Sequence, residues 1–291
     1  MILADAIADI EERRDSRVVV LAASHLDLDL LPMLYDRLEA MGDTPRLDIV
    51  LQIRGGAVDS ARRIGLLLAD TTAHLGAIVP DRCQSSGTIV ALAAHEIVAG
   101  PCAIFSPVDP ALQGPVERDS DGPGAVSTED IRRFAEMARE WFGQEGEQAS
   151  ADAIAALSSA IFPPTLTAFY RATCEVESIC RELIGRRLGA DTGDVADRIV
   201  TQLMHGYHSH GFPLAGDDLA NLGLPVVRDA GVETSAWRIA GMLRSAVGGG
   251  ARDSERDDWF DACIATRDTC HLRRTGPHRM MPCWEAGTIG G

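Results

Sequence analysis

At 291 residues the chain is long enough to bury a full core in one large domain with appendages. Hydrophobic residues make up 46% and charged residues 24%, and the formal net charge of −16 disfavours nucleic acid and anionic membranes as partners. No run approaches the roughly 18–20 consecutive apolar residues of a membrane helix. Met1 to Arg14 lacks the basic start and apolar centre of a signal peptide. Seven scattered cysteines suit a reducing compartment better than a disulfide framework. These features together predict a cytoplasmic location. The chain contains no lysine, so all 27 basic residues are arginines.

In chain order, Arg17-Val18-Val19-Val20-Leu21-Ala22-Ala23 is a β-branched apolar run that predicts a buried strand. Leu30 to Met41 has helical periodicity, with Pro32 in its first turn. Leu47 to Ile53 is a second strand ending on Arg54-Gly55-Gly56, and Ala57 to Ala73 a helix with Ile64, Leu67 and Leu68 on one face. Gly76 to Pro80 is a third strand stopped by proline. Gly87 to Ala94 then reads as a short, small-residue helix, followed by short strands at Glu96-Ile97-Val98 and Cys102 to Phe105. Strands and helices alternating at this spacing predict an α/β fold of βαβ units around a parallel sheet.

Gly114 to Ser127 is rich in glycine and proline and reads as a loop. A helix from Ile131 to Phe142 follows, and mostly helical segments run to about Met204 with a break at Pro163-Pro164. Asp217 to Leu222 predicts a short helix, Leu224 to Val227 a last strand, and Glu233 to Val247 a helix. Gly248-Gly249-Gly250 then reads as a hinge before a polar tail.

Chemistry concentrates between Arg54 and Pro110. A serine between a strand and a helix sits where unpaired backbone N–H groups converge, as at Gln84-Ser85-Ser86-Gly87-Thr88. Such donors stabilise a developing oxyanion, one well-placed group being worth about 3–4 kcal/mol of barrier. Gly55 and Gly56 lack a Cβ and permit close approach of backbone to a substrate carbonyl. Taken alone, a Ser-Ser-Gly-Thr before a helix is usually only a cap, and a Gly-Gly after a strand usually only a turn.

Their order, with Ala93-Ala94-His95-Glu96-Ile97-Val98 and Ser106-Pro107-Val108-Asp109-Pro110 behind them, resembles the serine dehydrogenase proteinase family. That family is a branch of the Clp protease/crotonase superfamily related to signal peptide peptidase A. The resemblance continues through His208-Ser209-His210-Gly211-Phe212-Pro213-Leu214 and Leu222-Gly223-Leu224-Pro225-Val226, and spans about 15–230. It implies a repeated ββα spiral core with helical C-terminal additions. The corresponding domain is 15–230, with a helical insertion at about 127–204. Residues 231–291 would form a helix and a flexible polar tail.

By this resemblance Ser85 is the nucleophile, and the backbone at Gly55, Gly56 and Ser86 forms the oxyanion hole. Two positions depart from the family pattern. Ser86 stands where alanine or glycine is usual, which leaves open which serine attacks, and His95 replaces an acidic residue. Related signal peptide peptidases activate serine with lysine, which is absent here, and arginine stays protonated at any working pH. The base is therefore a histidine, a carboxylate or nothing, and the resemblance selects His210 by its match to the family histidine, with His208 and His205 in reserve. Asp109 is placed by motif to orient the imidazole, although an aspartate between two prolines is as readily a loop cap.

The expectation is a serine peptidase-like hydrolase acting on a peptide or protein substrate, without cofactor or metal, as a homo-oligomer. A catalytically silent oligomeric scaffold is the alternative, and a crotonase-like acyl-CoA enzyme a third. In the tail, Cys263, Cys270, His271, His278 and Cys283 have zinc-ligating chemistry, but their spacing fits no closed pattern.

Overall fold

The computed structural model describes residues 2–114, 124–143, 147–188, 193–248, 254 and 256–289. Helix α1 (Leu3–Arg14) leads into strand β1 (Arg17–Ala23), helix α2 (Leu30–Met41), strand β2 (Thr44–Ile53), helix α3 (Val58–Thr71) and strand β3 (Thr72–Val79). A short strand β4 (Arg82–Cys83) then feeds helix α4 (Ser86–Ala91), followed by β5 (Glu96–Ala99) and β6 (Ile104–Phe105). β1, β2, β3 and β5 are parallel neighbours in that order, so the βαβ reading of the first hundred residues holds.

Each parallel strand is covered on both faces, as its largely apolar run requires. On one face Leu21, Ile49, Leu51 and Ala77 pack with residues of α2, α3 and α4 and of three later helices. On the other face Val18, Val20, Val50 and Ile78 pack against α1 and a late helix. Fully burying a side chain of this size stabilises by about 1.5–3 kcal/mol over leaving it exposed, so the two layers supply most of the stability.

β7 (Ala111–Gly114) and β8 (Gly124–Ser127) pair antiparallel, so the ends of the stretch expected to be a loop form a ladder. The rest of that stretch, 115–123, lies outside the described residues. Helices α5 (Thr128–Phe142), α6 (Glu147–Ala160), α7 (Pro163–Leu188) and α8 (Gly193–His205) follow, and the Pro163-Pro164 pair opens α7. Helix α9 (Gly216–Leu222), strand β9 (Val226–Val227) beside β5, and helix α10 (Ala230–Ala246) against α1 return the chain to the sheet.

The polar tail is not a tail. Residues 259–286 form β10 (Trp259–Ala265), β11 (Cys270–Thr275) and β12 (Cys283–Ala286), and β10 pairs antiparallel with β1. Charged residues inside these strands hide the pattern. Arg273 is buried, yet its guanidinium bridges Asp27 and Asp261 at 2.7–2.9 Å, so a cation stands where periodicity demands an apolar side chain. Cys263 and Cys270 lie on β10 and β11 with their sulfurs 3.9 Å apart.

Among the described residues no single helix is long and apolar enough to cross a membrane. The pair Gln148–Ala160 and Pro163–Arg187 passes that test only together, across a 110° bend.

Candidate active site

The site begins where β2 ends. Beyond the stretch paired with β3, Ile53 pairs with Cys83 of β4, and Cys83 with Phe105 of β6, all parallel. Phe105 in turn makes an antiparallel bridge to Leu214 through N–H···O contacts of 2.8 and 3.0 Å. Three neighbouring chain segments therefore leave the sheet at one edge. Ser85 lies two residues past Cys83, Asp109 four past Phe105, and His210 four before Leu214 in the antiparallel direction.

Ser85 has φ 53° and ψ −115°, a conformation that an L-residue rarely adopts. Backbone in such a region costs of order 1–3 kcal/mol and persists only where its surroundings over-determine it. Here the surroundings are a short polar relay. The Ser85 N–H donates to Ser106 Oγ at 2.7 Å, and Ser106 Oγ donates to the Pro107 carbonyl at 3.1 Å. The Ser106 N–H donates to Thr88 Oγ1 at 3.2 Å, and that hydroxyl donates to the Cys83 carbonyl at 2.8 Å. The turn is thus locked to both strands that flank it, and Ser85 stays half-buried at the surface of the site. Ser86 is fully buried, and its hydroxyl finds no partner. Cys83, two residues before Ser85, is fully buried, and burial pushes its thiol pKa up.

Gly55 and Gly56 have φ of 144° and 146°, the region reserved for glycine. A Cβ on Gly55 would lie 3.9 Å from the Ser85 Cβ, which sets that residue directly against the serine. A Cβ on Gly56 would lie 2.2 Å from the Leu26 backbone nitrogen. The close approach serves a bridge in which the Leu26 N–H donates to the Gly55 carbonyl at 2.9 Å and the Ala57 N–H to the Leu26 carbonyl at 2.8 Å. Those bonds occupy carbonyls. The N–H groups of Gly55, Gly56 and Ser86 donate to no group among the described residues.

Asp109 and His210, 101 residues apart, meet: His210 Nδ1 lies 3.0 Å from Asp109 Oδ1. Asp109 is 3% exposed and His210 about a third exposed, so the carboxylate is sealed beneath an imidazole that reaches solvent. The hydrogen bond that the imidazole donates to the carboxylate raises the His210 pKa against the opposing effect of burial.

The other two histidines point elsewhere. His205 Nδ1 is 2.5 Å from Glu129 Oε1, with Glu177 3.5 Å from its other nitrogen, and His208 Nδ1 is 2.7 Å from Arg133. Both are engaged by α5 and α7 of the insertion. His95 accepts the Leu75 N–H at 3.1 Å and stacks on His74, at the opposite end of β3 and β5 from the serine.

Ser106 is the residue that motif reading passed over. It appeared only within a Ser-Pro segment, and nothing in its local sequence signals that its hydroxyl holds a backbone N–H twenty-one positions away. Among the described residues no three histidine, cysteine, aspartate or glutamate side chains gather as a metal-binding group.

Residues 3–117 match the family model described as ClpP-like SDH-type serine proteinase. An uncharacterised protein of Methanocaldococcus jannaschii is 24% identical over 76% of this chain and 70% of its own length. A second from the same organism is 24% identical over 69% of this chain, which spans only 59% of that relative. Among solved structures, a mutant of a membrane-bound stomatin-specific protease aligns over 74% of this chain and 79% of its own, at 13% identity and a TM-score of 0.43. ClpP1 from Listeria monocytogenes aligns over 75% of this chain and 95% of its own, at 12% identity and a TM-score of 0.40. The mixed α/β architecture, in which ββα units precede a set of added helices, is Clp/crotonase-like. Over residues 3–117 the chain is thus similar to the ClpP-like SDH-type serine proteinases, the likeness that its motif order implied.

Proposed function

We propose that the protein is a serine peptidase in which Ser85 is the nucleophile, His210 the base and Asp109 the group that orients it. The observation that carries this reading is the Asp109–His210 hydrogen bond, made at the same sheet edge as the strained, half-exposed Ser85. An Asp109 carboxylate that accepts from the imidazole Nδ1–H leaves the Nε2 lone pair free to take the serine proton. Ser85 Oγ then attacks the scissile carbonyl carbon, and the proton moves to His210 Nε2. The carbonyl oxygen gathers negative charge against the N–H groups of Ser86 and the Gly55-Gly56 turn. Collapse of this adduct expels the amine, which takes the proton from His210 and leaves an acyl-serine ester. Water, deprotonated by His210, hydrolyses the ester and regenerates both groups.

Burial favours Ser85 over its neighbour as the attacking residue. The Ser86 hydroxyl is fully enclosed, while its backbone N–H heads the turn beside Gly55. Reaction with a fluorophosphonate tests the assignment. The wild type and Ser86→Ala should label, and Ser85→Ala should not. Labelling of Ser85→Ala at the wild-type rate would overturn it.

The substrate of this reading is a peptide or protein, and its working form a homo-oligomer built on the insertion. Trp141, Phe142, Ile154, Phe162 and Tyr170 of that region are all more than 60% exposed, an unusual load of large apolar side chains for a free surface. Light scattering on the purified chain tests this part, and a monomer at micromolar concentration would remove it.

A further inference from the structure

The same edge of the sheet carries a cleft on the opposite face from α4. It measures about 280 Å³ and is lined by Ala22, Ser24 and Gln52 from the ends of β1 and β2, by Arg54 and Arg82, and by Asp81 and Arg244. Ala22 belongs to the α1/α10 side of the core, whereas Ile53, Cys83 and Ile89 belong to the other. The cleft therefore backs onto the Arg54-Gly55-Gly56 turn from the side away from Ser85.

Its charge is at odds with the rest of the molecule. Three guanidinium groups line one small cleft in a chain of net charge −16. Asp81 is the sole carboxylate among the lining residues, and Arg244 already holds it at 3.0 Å while lying over the Trp237 ring at 4.2 Å. Arg54 and Arg82 make no ion pair among the described residues, and neither has a hydrogen-bonded acceptor for its side chain there. Two polar atoms of the cleft wall, Ser24 Oγ and Gln52 Oε1, are buried without a partner. Gly248, with φ 93°, borders the same space. A Cβ there would lie 3.3 Å from Ser24 Oγ and 3.6 Å from the Arg54 guanidinium carbon.

We propose that this cleft is a binding site for a small oxyanion that also carries an O–H or N–H donor. Two unpaired guanidinium groups match the planar or tetrahedral oxygens of a carboxylate or phosphate, through charge-assisted bonds about twice as strong as neutral ones. The unpaired Gln52 Oε1 accepts a hydrogen bond and offers none. It selects a ligand with a donor beside its anionic group, and Ser24 Oγ is free to serve either role. Hydrogen phosphate and α-hydroxy carboxylates are the simplest molecules with both features. The arginines supply affinity, and the amide oxygen discriminates against an anion that has acceptors alone.

Isothermal titration of the full chain with phosphate, glycolate and sulfate at pH 7 tests the assignment. Saturable binding of phosphate or glycolate is expected, with sulfate at least about fivefold weaker because it offers no donor. The tighter of the first two identifies the group as phosphate or carboxylate. Arg54→Gln and Arg82→Gln should each weaken the tighter probe about tenfold or more, within the range for a charge-assisted bond. Gln52→Met should erase the preference over sulfate. Arg54 and Arg82 are exposed, so an unchanged melting temperature will show that these variants remain folded. Ser85→Ala should bind as the wild type does, which separates this site from the peptidase reading. No saturable binding by any probe, or unchanged affinity in both arginine variants, would overturn the proposal. Equal affinity for sulfate and phosphate would remove its selective element.

Discussion

The two halves of the candidate site are built in different ways. The serine half is local. Gly55, Ser85, Thr88 and Ser106 lie within about fifty residues, and three hydrogen bonds tie the Ser85 turn to the strand segments beside it. The histidine half is remote. His210 arrives after the whole helical insertion, on a short segment fastened by the Phe105–Leu214 bridge and the Asp109 contact. The part that would hold the acyl group is thus fixed by strand geometry, and the part that would move the proton is fixed by tertiary docking. A site divided in this way loses its base sooner than its oxyanion hole when packing loosens.

Variants separate the two halves. In the serine half, Ser85→Ala should lower kcat/KM on a peptide substrate by ~10⁴-fold or more, because no nearby hydroxyl is exposed to replace it. Rates from peptide assays check this, and a loss under tenfold would place the nucleophile elsewhere. In the histidine half, His210→Ala should cost ~10²–10⁴-fold, the usual span for a general base. Fluorophosphonate labelling should become slow rather than vanish, since the oxyanion donors remain.

Asp109→Asn sharpens the contrast through pH. The Asp109 hydrogen bond raises the His210 pKa, and the base works only when deprotonated. Removing the carboxylate should therefore move the acid limb of kcat/KM to lower pH while lowering the plateau. The stability linkage has the opposite window. A histidine whose folded pKa is raised contributes stability that is fully present below its unfolded value, near ~6.5, and is lost as pH rises through the folded value. The stability gap between the wild type and Asp109→Asn should accordingly narrow as pH climbs past neutrality, as urea titrations at several pH values would show.

Smaller effects belong to the supports. Ser106→Ala deprives the Ser85 N–H of its acceptor and should cost about 1–3 kcal/mol in denaturant unfolding. Activity should fall further than that loss alone explains, because the turn relaxes. His205→Gln should leave kcat/KM within about threefold and change stability by about 1 kcal/mol, since its ring is held by Glu129 and Glu177. A large kinetic loss in His205→Gln would reverse the ranking of the histidines.

The parallel sheet was readable because its strands are covered on two faces and so are largely apolar, as Val18 to Ala23 shows. The serine turn was readable because its glycines and hydroxyls lie in one short stretch. β10 to β12 were not, because Asp261 and Arg273 interrupt the pattern and satisfy one another between neighbouring strands. The β7–β8 pairing was hidden by the turn-forming residues between its strands. Among three histidines within six positions the motif favours His210, and their partners in space separate them: Asp109 for His210, Glu129 for His205 and Arg133 for His208.

The antiparallel β10 against β1 has a consequence for how the molecule keeps to itself. β1 is an interior strand only because the last part of the chain folds back along it. A chain cut after Ala246 would leave Val18, Val20 and Ala22 on a bare, nearly uncharged edge with open N–H and carbonyl groups, a template for another strand. The C-terminal strands thus act as a guard against aggregation, with arginines and carboxylates on the outer strands that replace β1 as the sheet's margin.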